Sequence, residues 1–561
     1  MSTVTATAVR PTDAPVRDHE HRRDRVLAVA AVAIPTALAA ALCAYEISVR
    51  SLWLDEAAAV TIASQHGAAF GAALAHDGGN MLGYYAVLHV LIGAFGKGAL
   101  VIRLPSVIGA TLTVCVAGLL GLRLFGRRVA FAAGVLAAVS LPLVYWGQNA
   151  RGYALMVALI SGSFLALVIA LQSDRSAGAW TAYVLLMVAA VYAGLEAVLV
   201  IPAQLVALLW FRHRVRPFAL AVAVIAACCV PLAVLASNRG SGQLFWVPAP
   251  SFTTAKQVVQ ALASTGLQPN FYTDTGSALL ALTAVVLLIA VGRICLMWSR
   301  RDQRRAAWRP TLVLAWLVVP FALALLESAF AQSVFQARYL LVSLPAVALL
   351  LAWALLGRES PRGTRIPAGA RISGGTQIPA GARISRGARI PARARISTAL
   401  AVTAVAALIA LRALQLAPAY GVSPENWRAA TSYVLARAHA ADCVAFYPLD
   451  NRMPFQYYLG SGAATAPRSV LPAAPWGQAH AFVEDYATLS ASQVSAVRSR
   501  CARVWLLTSH EGTVGGPPIS RLNYVRLRTL VAALGHEYQH ASTRSFGTAK
   551  TVTLTVFTGA A

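Results

Sequence analysis

A bundle of membrane-spanning helices followed by a small α/β domain is the fold this sequence predicts. Three observations carry it. The chain of 561 residues is 58% hydrophobic and only 12% charged, about half the charge of an ordinary soluble chain. Its apolar residues gather in runs of about 20, the length that crosses a bilayer. Its arginines fall in short clusters between those runs, as in cytoplasmic loops of membrane proteins. Those clusters account for the net charge of +26, so no nucleic-acid partner is expected.

Each element follows in order. Residues 1–25 are polar and of mixed charge, and read as a disordered cytoplasmic tail. His21, Arg22, Arg23 and Arg25 place the start of the first span, Val26–Tyr45, in the cytoplasm. The acid pair Asp55 and Glu56 then emerges at the outer face. Met81–Phe95 is short for a span; with Tyr84 and Tyr85 as anchors it reads as a helix lying in the outer interface. Leu104–Leu122, Val129–Trp146 and Ala154–Leu171 follow as spans, then the pair Trp180–Val191 and Ala197–Phe211, then Pro217–Ala236. Ala278–Met297, Pro310–Leu326, Tyr339–Leu356 and Thr398–Leu414 complete a set of about eleven spans. This parity puts every major basic cluster inside and the loops 46–103 and 237–277 outside.

Residues 26–356 are therefore expected as the main membrane domain, and 398–416 as its last helix. Between them, 357–397 is basic and carries a period of twelve residues, Arg365-Ile-Pro-Ala-Gly-Ala-Arg371-Ile-Ser and its near-copies. So short and polar a repeat builds no core, and it reads as a flexible cytoplasmic insert touching anionic lipid heads. Residues 417–561 read as an extracytoplasmic α/β domain. Its signals are a helix opened by Pro424-Glu425-Asn426-Trp427, strands at Val444–Tyr447, Val504–Thr508 and Thr551–Thr558, and a helix Ser520–Leu534 closed by Gly535. Cys443 and Cys501 lie at or just before strands on an oxidising face, so a disulfide is expected, with two free thiols as the alternative.

The same parity collects polar groups at the outer helix ends. They are Asp55 and Glu56; His76, Asp77 and Asn80; Tyr84 and Tyr85; Gln148, Arg151 and Tyr153; Glu196; Trp246; Glu327; and Arg338 with Tyr339. Ionisable groups this close to a bilayer are costly unless they face water, a partner or a substrate. Carboxylates suit deprotonation of a hydroxyl. Arginines suit a phosphate, through their forked donors. Aromatic faces suit sugar rings. Alternatives stay open residue by residue: Asp77 also suits a helix cap, Arg151 and Arg338 suit snorkelling, and Trp246 suits an interface anchor. No phosphate-binding glycine loop of a nucleotide enzyme is present, and no cofactor and no metal are expected.

The order of these motifs resembles a known family. An acid pair follows the first span, then a Tyr-Tyr segment, Arg103-Leu104-Pro105-Ser106, Gly126-Arg127-Arg128, Gln148-Asn149-Ala150-Arg151-Gly152-Tyr153, Phe245-Trp246-Val247-Pro248 and Ala337-Arg338-Tyr339-Leu340. From Val26 to Leu356 the chain resembles the GT-C glycosyltransferases, on the bacterial branch of protein O-mannosyltransferases and the aminoarabinose transferase of lipid A. Its alanine- and arginine-rich composition points to a high-GC actinobacterial source. The resemblance implies a catalytic role for Asp55, with Glu56 beside it, and a donor-phosphate site at Arg338, Arg151 and Tyr339. Asp77, Asn80, Tyr84, Tyr85, Gln148, Tyr153 and Trp246 would line the substrate site. It implies a polyprenyl-phosphate sugar donor and an acceptor glycan, lipid or protein. Where relatives carry His-Pro-Pro-Leu-Tyr-Tyr this chain has Asn80-Met-Leu-Gly-Tyr84-Tyr85, which leaves the substrates open. The rival readings are a lipid or solute transporter, disfavoured by the lack of a repeat between the two halves and of a midplane path of polar residues, and an inactive envelope scaffold.

Overall fold

A computed structural model describes residues 14–173, 176–239, 244, 247–267, 271–272, 276–357, 392–460, 466–476, 485–548 and 551–559. Trp246, and the repeat-bearing insert as far as Pro391, lie outside the described residues. Among the described residues, eight helices are long and apolar enough to cross a membrane, or nine if one bent pair is a single span. Helix α1 (Ala14–Ala44) begins upstream of Val26, within the stretch expected as tail. Helices α2 (Leu54–Ala63), α3 (Ala68–His76) and α4 (Leu82–Phe95) are short, and α5 (Ala99–Phe125) is the next full-length helix.

Two departures from the expected spans have local causes. Val129–Trp146 is bent by 60° between Arg127–Ala138 and Leu141–Gly147. Val139 and Ser140 interrupt the helix, and Pro142 opens its second piece. Arg412, from the helix Ala392–Gly421, donates Nη1–H to the Leu136 carbonyl beside this break at 2.8 Å. A protein donor is needed there, because lipid supplies none. The expected pair Trp180–Val191 and Ala197–Phe211 appears as the apolar helical runs Ala177–Ala193 and Leu195–Leu209, both shorter than the eight long helices. The second is 3-10 at both ends around Ile201–Leu205, where Pro202 removes a backbone donor. Small residues let the other helices approach. A Cβ on Gly109 would stand 2.5 Å from the Leu155 nitrogen, so α5 meets Tyr153–Gln172 backbone to backbone.

The loop expected after Pro217–Ala236 contains the helix Phe252–Leu262, opened by a Ser251/Thr254 capping box, and a two-stranded hairpin, β1 (Gly266–Leu267) with β2 (Phe271–Tyr272). The C-terminal sheet has strand order β4-β3-β5-β7-β6. Strands β3 (Cys443–Tyr447), β4 (Arg468–Leu471) and β5 (Arg503–Thr508) run parallel. Strands β6 (His540–Phe546) and β7 (Val552–Thr558) complete it antiparallel. Alternate strand residues face opposite sides. Cys443, Ala445, Tyr447, Val504 and Leu506 pack under the helices Ala491–Arg498 and Pro518–Tyr538. Val444, Phe446, Trp505 and Leu507 pack under Trp427–Leu435 and Arg452–Leu459.

Cys443 and Cys501 are joined in a disulfide that closes a sequence separation of 58 residues. Constraining so long a loop in the unfolded chain is worth about 2–4 kcal/mol. Cys443→Ser is therefore expected to lower the melting temperature of the C-terminal domain, and a reductant should lower wild type to the same value.

Candidate functional site

The site begins at a helix whose own sequence does not start it well. Trp53 takes the extended backbone of an N-cap but has no side-chain oxygen to accept an amide, and its indole instead donates to Asn149 at 2.8 Å. Asp55 and Glu56 occupy the first turn of α2, where a carboxylate is stabilised by the positive helix end. Successive helical residues point about 100° apart, and here the two acids part company.

Glu56 is buried, at 1% side-chain exposure, in a bidentate pair with Arg103 at 2.8 Å through both oxygens. Its Oε1 also accepts the Ala150 amide at 2.8 Å. Glu56, expected beside Asp55 as a catalytic acid, has both oxygens engaged by protein donors. Arg103 reaches on to the carbonyls of Ile47 and Arg50.

Asp55 remains partly open, at 27% side-chain exposure. Arg338, from the segment just before the 3-10 turn Tyr339–Ser343, donates Nη1–H to its Oδ2 at 3.1 Å. Arg151 lies 4.0 Å from the same oxygen. The turn Gln148–Gly152 that presents Arg151 packs closely on the end of Ala177–Ala193, since a Cβ on Gly152 would stand 2.4 Å from the Ala193 carbonyl oxygen. Ser106 anchors the turn by donating to the Arg151 carbonyl at 3.0 Å. Arg338 lies over the Tyr339 ring, 5.4 Å from its centroid.

Asp77 joins from below, on a turn in which Gly78, Gly79 and Met81 all take positive φ. Tyr85 hydrogen-bonds Asp77 and accepts Nη1–H of Arg151 at 3.1 Å. Burial pushes the Asp77 carboxyl up to about 7, against the pull of Arg151 and the Tyr85 hydrogen bond. Two guanidiniums and the Asp55 carboxylate sum to +1 while Asp77 is protonated, and to zero once it ionises. A phosphate ligand is therefore expected to bind more weakly above pH 7. For a phosphorylated donor, KM should rise roughly fivefold, the effect of about 1 kcal/mol of lost attraction. Asp77→Asn should flatten that rise, which steady-state kinetics from pH 6 to 8.5 would measure.

Other expected residues are placed differently. Tyr84 is fully buried and shares a 2.9 Å hydrogen bond with Ser106. Gln148 is buried too. It donates to the carbonyls of Cys43 and Tyr45 and accepts from Arg50, tying the loop to the end of α1. Tyr153 is buried edge-on to Trp146, with ring centroids 4.7 Å apart. All three are buried among protein groups. Tyr339 is buried beneath Arg338, and Asn80 is half-buried in the Asp77–Met81 turn. Sequence reasoning missed Arg103 and Arg50 as organising residues, and missed that the C-terminal domain packs against the helix carrying Asp55. That domain seats Met453 against Leu54 and Ala57 of α2. Arg103 had one signal, its place in the motif Arg103-Leu104-Pro105-Ser106.

Of the carboxylates that could have gathered around a metal, Glu56 faces Arg103 and Asp55 faces Arg338. Among the described residues no three His, Cys, Asp or Glu side chains converge.

A bundle of long apolar helices, three short helices between the first of them and α5, and a C-terminal α/β domain make up a fold of the GT-C class of membrane glycosyltransferases. The comparisons agree with that class. Residues 79–235 match the family described as dolichyl-phosphate-mannose-protein mannosyltransferase. The apo structure of ArnT from Cupriavidus metallidurans superposes with a TM-score of 0.51 at 12% identity, over 93% of this chain and 97% of that one. The same protein bound to undecaprenyl phosphate gives a TM-score of 0.49 at 14% identity, over 94% and 98%. The oligosaccharyltransferase AglB from Archaeoglobus fulgidus gives 0.49 at 11% identity, over 93% and 73%. No curated protein matches the chain in sequence.

Proposed function

We propose that the protein is an integral membrane glycosyltransferase that moves a sugar, of the mannose or pentose type, from a polyprenyl-phosphate donor to an acceptor hydroxyl. The observation that carries this reading is Asp55, a partly exposed carboxylate held 3.1 Å from Arg338 and 4.0 Å from Arg151. The match of residues 79–235 to a family named for a polyprenyl-phosphate mannose donor supports it.

In the proposed step the acceptor hydroxyl gives its proton to Asp55 as its oxygen bonds the anomeric carbon. The bond from that carbon to the phosphate oxygen breaks, and the electron pair leaves on the polyprenyl phosphate. Arg338 and Arg151 carry the charge that develops there. A single displacement inverts the configuration. The N-terminus is cytoplasmic in this reading. Site and C-terminal domain are extracytoplasmic, where lipid-linked sugars rather than nucleotide sugars are at hand.

The test is transfer by purified protein in membranes, offered a panel of radiolabelled polyprenyl-phosphate sugars with cell-envelope acceptors. Transfer from one donor establishes the enzyme and names its sugar. Binding of the lipid without transfer from any donor would instead favour the scaffold or the transporter.

A further inference from the structure

The helix that carries Asp55 is completed by a distant part of the chain. Trp53, its N-cap residue, supplies no capping oxygen. The Leu54 amide instead donates to Glu425 Oε2 at 3.0 Å, and the same oxygen accepts the indole N–H of Trp427 at 2.9 Å. Glu425 follows the last membrane helix, Ala392–Gly421, and is fully buried. Its other oxygen, Oε1, stands 2.6 Å from Nε2 of His510, just beyond β5. Of the four amides from Ser51 to Leu54, three donate to this end of the chain: Ser51 to Ser423, Leu52 to Tyr458 and Leu54 to Glu425. Arg428 closes the contact from the other side through the carbonyls of Ser48 and Val49.

We propose that Glu425 is a positioning residue for Asp55, a carboxylate lent by the C-terminal domain that serves as the missing N-cap of α2. A cap fixes the first turn of a helix, and Asp55 lies in that first turn. Trp427 and His510 hold the capping carboxylate in one orientation. The domain then contributes to turnover without touching the reacting atoms. The inference rests on Asp55 being the base. It predicts a loss in kcat rather than in donor KM, since Arg338 and Arg151 hold the phosphate and neither contacts Glu425.

The experiment compares Glu425→Ala with Glu425→Gln in the full-length protein. The amide oxygen of Gln still accepts from Leu54 and Trp427; Ala offers nothing. Glu425→Ala is expected to lose about tenfold in kcat, with donor KM unchanged, while Glu425→Gln stays close to wild type in both. Arg503→Ala serves as the folding control. It cuts the 2.7 Å pair with Asp442 inside the same domain, and should lower the melting temperature without lowering kcat. Wild-type kcat in Glu425→Ala, or equal loss in Ala and Gln, would overturn the proposal. Hydrogen exchange over residues 51–57 separates its failure from failure of the glycosyltransferase reading. If wild type transfers no sugar, that reading fails. Faster exchange in Ala but not in Gln would still support the cap, and unchanged exchange in Ala would remove it.

Discussion

Asp55→Asn is expected to lower kcat for sugar transfer by about 10²–10⁴-fold, the usual contribution of a positioned general base. Donor KM should stay level or fall. In wild type one carboxylate stands against Arg338 and Arg151. The amide leaves both guanidiniums without that counter-charge, so a donor phosphate meets a more positive site. This split distinguishes a base from a group that only holds the arginines in place, because loss of a mere spacer would raise KM. Steady-state kinetics against donor concentration reads both quantities. A variant with wild-type kcat would end the assignment of Asp55 as base.

Much of this arrangement could be read from the residues, and the remainder has physical reasons for being hidden. Asp55, Arg151 and Arg338 were reachable because charge parity alone puts their loops on one face. Glu56 was not separable from Asp55 in sequence. The rotation between successive helical residues, and the presence of Arg103 on α5, decide which acid stays partly exposed. Arg103 by itself reads like any arginine at the mouth of a span. The capping role of Glu425 had no local signal, since its partner amide is 371 positions away. In the C-terminal domain, β3 and β5 carry apolar runs and β7 alternates apolar residues with threonine, so all three were expected. Strand β6, His-Ala-Ser-Thr-Arg-Ser-Phe, is a polar edge strand exposed on both faces and shows no alternation. The helix expected to stop at Gly535 continues to Tyr538, whose buried hydroxyl donates to the Cys501 carbonyl at 3.0 Å. That tertiary anchor outweighs the helix-breaking tendency of one glycine.

Arg103→Ala is expected to be the most damaging change for the fold around the site. It strands the Glu56 carboxylate in a dry interior, and breaking a buried pair from one side costs about 3–5 kcal/mol. It also releases the Ile47 and Arg50 carbonyls that Arg103 serves. Loss of stability alone would say little about catalysis, so the informative variant is the double replacement Glu56→Leu with Arg103→Met. Replacing both ions by apolar groups of similar size is often neutral for stability, and the double variant should recover most of the thermal stability lost in Arg103→Ala. Activity should stay low, because Leu cannot accept the Ala150 amide that Glu56 now holds at 2.8 Å, and Ala150 is the residue next to Arg151. Restored melting with absent transfer would identify the buried pair as the device that sets the Gln148–Gly152 turn against Asp55. Restored transfer would reduce it to a packing element, and the position of Arg151 would then have to be attributed to Ser106 and Tyr85 alone.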